Sequence, residues 1–424
     1  MEKELFLYTE TIKGTFLIYN VDRDKFDTAQ LCPLNGRKFF MVNGYEPNVQ
    51  GMLEYANDFK TFCDQMKNDK ISIDYKKYYS HYDAVKMIFK RFCKGRYEHH
   101  EKISFSEFLW FNKCPNGGQM YCKAGTYQCY GYDMKKFYAS ILNDENFLIP
   151  TKQGKECIIK NISKETLEFG FYRCQIVSNN SDFSKLFMFS ADNIYCVYSL
   201  IQAFKYQEEF NVSIKMINDG LPNAYIYDSD CLVSASSIFD SWYNKLIQLN
   251  DRYPKNKLVK ILMTYLWGCL NESNTENWTL EKLNNFEGKI DTTPRNKYMI
   301  YEQHFKSSKN MYFEIIDTEQ PVKFNIRLKP FITSYGRNII SDIAYKNLEH
   351  VVRIQTDNIT YDIPINHNIP NFAEEDKTTG YIKFDNVNKY HKLCKCAVIL
   401  QPIIQSWNKK KWFHKFYFKK IYKL

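Results

Sequence analysis

The chain has 424 residues, more than one hydrophobic core usually serves, so two or three sub-domains are expected. Apolar residues make up 44% and charged residues 25%, which excludes wholesale disorder. No apolar run approaches the ~20 residues that span a bilayer. The 58 Lys and Arg against 48 Asp and Glu leave a formal charge of +10, a mild excess that suits a polyanionic partner.

The 13 cysteines are scattered singly, with no Cys-x-x-Cys pair and no companion His set. They read as reduced, mostly buried thiols in a reducing compartment inside a cell. The opening Met-Glu-Lys-Glu-Leu lacks the basic stretch and apolar run of a secretory signal, so secretion is not expected.

In chain order, residues 1–110 are mixed, with β-like runs at Thr15–Tyr19 and Lys38–Val42 and helical spacing from Tyr78 to Phe92. Cys114-Pro115-Asn116-Gly117-Gly118 is the clearest breaker cluster and a boundary. Thr126–Tyr132 reads as a strand that passes into a helix at Lys135–Leu142. Residues 144–228 are irregular and strand-rich. Helices are expected over Ser236–Leu249 and Lys255–Leu270, separated at Tyr253-Pro254 because proline cannot continue the ladder. A third is expected over Gly336–Tyr345. Strands Val351–Gln355 and Ile359–Ile363 then flank the polar turn Thr356-Asp357-Asn358, a hairpin pattern. The closing stretch Trp407–Leu424 interleaves seven lysines with aromatics, which fits either phosphate contact and stacking or a solvated amphipathic helix.

Chemistry concentrates at three places. Asp133 stands where a strand runs into a helix, and Asp357 stands at a hairpin tip. Taken singly, each reads as a turn or cap residue. Held on adjacent strands, the two carboxylates would suit Mg²⁺, which takes hard oxygen ligands. Lys260, Thr264 and Trp267 fall at i, i+4 and i+7 on one helix face, with Gly268 beside them. A cation, a hydroxyl and a flat ring in that order match a triphosphate, a sugar and a base. An amphipathic helix with a solvated Lys and a core Trp has the same spacing.

The order of these pieces resembles the family B DNA polymerases. Tyr132-Asp133-Met134-Lys135-Lys136-Phe137-Tyr138-Ala139-Ser140 is similar to the first palm motif. Lys260-Ile-Leu-Met-Thr264-Tyr-Leu-Trp267-Gly268 is similar to the fingers motif. Arg353-Ile-Gln355-Thr356-Asp357-Asn358 falls where that family has Tyr-Gly-Asp-Thr-Asp-Ser. Asn116-Gly117-Gly118 and Lys395-Cys-Ala397 resemble the template-contacting linker and the thumb motif. The match covers about residues 78–400 and is nearest the organellar, linear-plasmid and viral protein-primed subgroup.

The resemblance implies an α+β right-hand polymerase with an antiparallel palm sheet, two-helix fingers, a thumb and a reduced exonuclease-like N-terminal domain. The corresponding segments are 1–108 (exonuclease-like), 109–145 and 331–370 (palm), 229–272 (fingers), and 371–424 (thumb and basic tail). Segments 146–228 and 273–330 are insertions. The implied reaction is DNA synthesis from dNTPs on template and primer DNA with two Mg²⁺ ions (Mn²⁺ as a substitute), and the protein-primed branch adds a terminal priming protein as a partner.

By the same resemblance, Asp133, Asp357 and the Met134 carbonyl bind metal, while Lys260, Thr264, Trp267 and Tyr138 bind nucleotide. Gly117, Gly118, Gly268, Thr356 and Lys395 contact DNA. A second fingers cation is expected among Arg252, Lys255 and Lys257. Gln355 departs from the family, which has an acid there. The N-terminal segment lacks Asp-x-Glu, so exonuclease activity is not expected, and Asp83 has no catalytic task. A polymerase-fold protein that binds DNA as a replication scaffold without catalysis is the alternative.

Overall fold

A computed structural model of the chain describes residues 6–11, 15–30, 39–42, 46–68, 81–254, 256–288, 290–292, 296–307, 310–366, 372–374, 380–386 and 389–393. Lys395, Lys255 and the basic aromatic tail lie outside the described residues.

The N-terminal segment opens with strands β1 (Phe6–Glu10), β2 (Phe16–Asn20), β3 (Lys25–Ala29) and β4 (Phe39–Met41). They form a sheet in the order β3-β2-β1-β4, antiparallel except that β4 runs parallel to β1. Helix α1 (Val49–Asn68) follows, absent from the sequence reading. Its buried Met52, Tyr55, Ala56, Phe59, Phe62, Cys63 and Met66 recur every three or four residues, an apolar stripe along one face. Helix α2 (His81–Tyr97) runs five residues past the expected end, and α3 (Phe105–Lys113) is capped by the Ser104 hydroxyl, which accepts from Glu107 N at 3.3 Å.

The Cys114–Gly118 loop leads to β5 (Met120–Cys122), β6 (Gly125–Met134) and helix α4 (Phe137–Leu142). Next come β7 (Leu148–Pro150), β8 (Lys155–Cys157), β9 (Gly170–Val177), helix α5 (Phe183–Leu186), β10 (Ile194–Cys196), helix α6 (Val197–Lys205), β11 (Ser213–Met216) and β12 (Ala224–Ile226). Strands β8 to β12 form a second sheet around β9. β13 (Leu232–Ser234) returns to pair with β7. Helices α7 (Ser236–Arg252) and α8 (Lys257–Leu270) follow, separated at Tyr253-Pro254.

Strand β14 (Thr275–Thr279), helix α9 (Leu280–Asn284), β15 (Tyr298–Ser307) and β16 (Asn310–Asp317) build a small sheet around its own core of Trp278, Phe313 and Ile315. Helix α10 (Lys329–Tyr345) starts seven residues before the expected Gly336. Pro330 sits in the first turn, where its missing N–H has no helical partner to lose.

Strands β17 (Val351–Gln355), β18 (Asn358–Tyr361), β19 (Phe372–Glu374), β20 (Gly380–Asn386) and β21 (Lys389–Leu393) complete an antiparallel sheet in the order β21-β20-β6-β18-β17-β5, with β19 also on β6. The segment assigned in sequence to the thumb thus begins as strands that extend this sheet, because β6 is long enough to pair along both edges. Tyr132, Ile354, Ile359 and Tyr361 join the main core, while Cys129 and Val352 form a separate small cluster.

A buried ion pair ties these parts together. Arg327 Nε and Nη2 donate to the two Glu107 oxygens at 2.6 and 3.0 Å, and both side chains are fully buried. Tyr227 donates to Glu107 at 2.7 Å, and Arg327 also reaches the carbonyls of Glu101, Lys102 and Thr151. Four remote segments therefore meet at one satisfied charge pair; removing either partner alone would cost about 3–5 kcal/mol. Among the described residues every cysteine is free, and no helix is long and apolar enough to cross a membrane.

Candidate active site

Asp133 and Asp357 come together because β6 and the β17–β18 hairpin are neighbours in one sheet. Asp133 is register-paired with Asn358, the residue after Asp357, and Met134 N donates to the Asp357 carbonyl at 2.9 Å. Directly opposed residues in such a ladder stand roughly 5 Å apart, so two acids from remote stretches of chain share one end of β6. Both are partly exposed. Among the described residues no group of three or more His, Cys, Asp or Glu gathers anywhere. The donors at this end of β6 are all oxygens: two carboxylates, the Met134 carbonyl and the exposed Gln355 amide. That set fits a hard divalent cation.

The hairpin tip is a two-residue loop, Thr356-Asp357, closed by the Gln355–Asn358 pair. Thr356 has φ +61°, the left-handed region that β-branched residues rarely adopt. Strain of this kind costs about 1–3 kcal/mol and persists only where the surroundings impose it. Here Thr356 N donates to the Gln119 carbonyl at 2.9 Å, and Gly118 lies directly against Thr356. A β-carbon on Gly118 would stand 2.7 Å from Thr356 Oγ1. The Cys114–Gly118 loop is in turn held by Arg337 of α10, which is buried and donates to the Pro115 and Gly117 carbonyls and to the Ser199 and Ser334 hydroxyls. Arg337 and Gln119 are functional neighbours that the sequence reading left without a role.

Tyr138, in the first turn of α4, is buried, and its ring lies 4.6 Å from that of Trp267 on α8, inclined at 41°. Burial pushes the Tyr138 hydroxyl far above its usual range; the Arg337 charge opposes this and the nearby Asp357 carboxylate adds to it. Tyr138 is therefore a neutral phenol beside the acid pair. The Tyr138–Trp267 contact is worth about 0.5–1.5 kcal/mol beyond burial and fixes α8 over this end of the sheet.

Helix α8 begins at Asn256, whose side chain accepts from Leu258 N at 3.0 Å and donates to Asp58 O and Gln65 Oε1 of α1. Leu258, Val259, Leu262, Met263, Leu266, Cys269 and Leu270 are buried, and the helix packs on α1, α2, α4 and α7. Lys260, Thr264 and Gly268 form the exposed opposite face. Lys260 is about 10 Å along the axis from Trp267 and meets no carboxylate among the described residues. The Thr264 hydroxyl donates back to the Lys260 carbonyl at 2.9 Å. An added β-carbon at Gly268 meets nothing within 4 Å, so the space above it is open. Of the other candidate cations, Lys257 pairs with Glu54 at 2.9 Å and Arg252 ends α7 on the surface.

Polar side chains of the N-terminal segment have local partners. Asp83 pairs with Lys86 at 3.4 Å, Asn20 Oδ1 accepts from Asp22 N and Arg23 N, and Asp27 accepts from Thr28 N.

No family model and no curated protein matches the sequence. The fold, however, resembles that of Phi29 DNA polymerase. Solved structures that it resembles include three of Phi29 DNA polymerase: a complex with single-stranded DNA (TM-score 0.53), one with primer-template DNA (0.54), and a ternary complex with incoming nucleotide (0.51). Each has 10% sequence identity, over 92% of this chain and 87% of that one.

Proposed function

We propose that the chain is a template-directed DNA polymerase that joins dNTPs to a primer 3′-hydroxyl. The observation that carries this reading is the meeting of Asp133 and Asp357 at one end of β6, beneath the Tyr138–Trp267 contact. Asp133, Asp357 and the Met134 carbonyl would hold Mg²⁺, which when bound stabilises charge on the transferring phosphoryl group. In this reading the sheet is the palm and α7–α8 are the fingers. Lys260 grips the triphosphate as a point charge on the open face of α8. Trp267 offers its ring to the nascent base pair, and Tyr138, a buried neutral phenol, lines the floor under the sugar. Gly117 and Gly118 contact the nucleic acid in this reading, and Gly118 also seats the Thr356 tip of the hairpin. Template and primer DNA and dNTPs are the partners. We further propose that the N-terminal segment has no exonuclease activity, supported by its lack of an Asp-x-Glu and by the pairing of Asp83 with Lys86.

Primer extension by the purified protein, with Asp133→Asn and Asp357→Asn as controls, tests the proposal. Each substitution should lower the rate by at least about 100-fold without unfolding the protein. One observation favours a second reading, a DNA-binding scaffold without catalysis: Gln355 presents an exposed amide where the resembling family has an acid. Duplex binding by a wild type that extends no primer under any divalent metal would establish that reading instead.

A further inference from the structure

We infer that Phe189 is a stacking platform for an unpaired base of the template strand, an inference that rests on the proposed polymerase reading. Phe189 is 42% exposed, yet it is not a loose side chain. Its ring is held edge-on by Phe183 and Phe187, at 5.9 and 5.2 Å. Behind it, Ser190 N donates to the Tyr195 hydroxyl at 3.0 Å, and the Ser190 hydroxyl accepts from Ile194 N and Asp192 N and donates to the Lys113 carbonyl. Asn193 closes the loop with φ +55°. The segment is a rigid mount that leaves the Phe189 ring partly open to solvent.

Its position supplies the function. Met188 Cε lies 3.6 Å from where a Gly117 β-carbon would be, and Gly118 rests on Thr356, which precedes Asp357. The path from Phe189 to the acid pair, through Met188, Gly117, Gly118 and Thr356, is about 25 Å, or roughly seven nucleotide steps. Bases inside a duplex have both faces covered by their neighbours, so a ring set away from the duplex end stacks on an unpaired base, and beside a synthesising site the unpaired strand is the template. The loop from Phe187 to Asn193 holds no cation and one acid, Asp192. It therefore offers a ring face and no phosphate contact, and its contribution should not release counterions.

The test uses the full chain without divalent metal or nucleotide, binding a labelled duplex with a single-stranded template overhang beside the same duplex made blunt. Phe189→Ala should weaken overhang binding by about 5- to 100-fold and leave blunt binding unchanged. That ratio should be the same at low and high salt, and Phe189→Trp should restore it with quenching of the new indole by the overhang. Overhang affinity within about twofold of wild type in Phe189→Ala, equal losses on both duplexes, or no rescue by Trp would each overturn the inference. A wild type that binds overhangs through Phe189 but extends no primer would instead count against the polymerase reading.

Discussion

A β-carbon placed on Gly118 would stand 2.8 Å from the Cα of Thr356, closer than packed atoms tolerate. The loop before β5 and the tip carrying Asp357 are therefore in backbone-to-backbone contact, and neither moves without the other. Gly118→Ala should displace the tip, lower stability by about 1–3 kcal/mol and abolish primer extension. Gly268→Ala is its counterpart: with open space above α8, it should raise stability by up to about 1 kcal/mol through helix propensity. Thermal melting with primer extension on both variants reads the contrast.

Lys260→Ala should leave the melting temperature unchanged, because the side chain lies on an exposed face. It should raise the KM for dNTPs by about 10- to 100-fold, the loss of one charge-assisted contact to phosphate. Steady-state primer extension over a range of dNTP concentrations measures this. A variant with wild-type KM would remove Lys260 from the site.

Gln355→Asp adds a carboxylate at the exposed end of β17, beside the hairpin tip. The activity of this variant should saturate at about tenfold lower Mg²⁺ than wild type, whereas Gln355→Ala should change little. A Mg²⁺ titration of extension rate separates the two.

His100 is buried, and its pKa is lowered to about 4, first by burial and then by the neighbouring charges of His99 and Arg327. The unfolded chain, with a histidine pKa near ~6.5, takes up this proton first as the pH falls. Stability present above that pH should therefore be lost between about 6.5 and 4, by up to about 3 kcal/mol. His100→Leu should flatten this part of the denaturation midpoint-versus-pH curve.

The hairpin at 351–361 and the two helices around Tyr253-Pro254 were legible because their signals are local: alternation, a polar turn and a proline break. The acid pair was legible only through motif order, since nothing in the flanks of Asp133 says that it faces Asn358. Helix α1 was missed although its stripe from Met52 to Met66 is regular, because Asn, Asp and Lys between the apolar positions mask it. Arg337 could be placed on a helix from sequence but given no role. Its acceptors at Pro115 and Gly117 lie far back in the chain, and only the tertiary fold brings α10 against that loop.

Helix α2 has a meaning separate from any nuclease ancestry. Its Phe89 stacks on Phe239 of α7 at 5.6 Å, its Arg96 pairs with Asp240, and its Lys86 reaches Glu272 just beyond α8. The N-terminal segment is thus the wall on which α8 leans. Mutations could erase every acid in that segment and spare synthesis, but a shortened gene that dropped the segment itself would strip α8 of its backing.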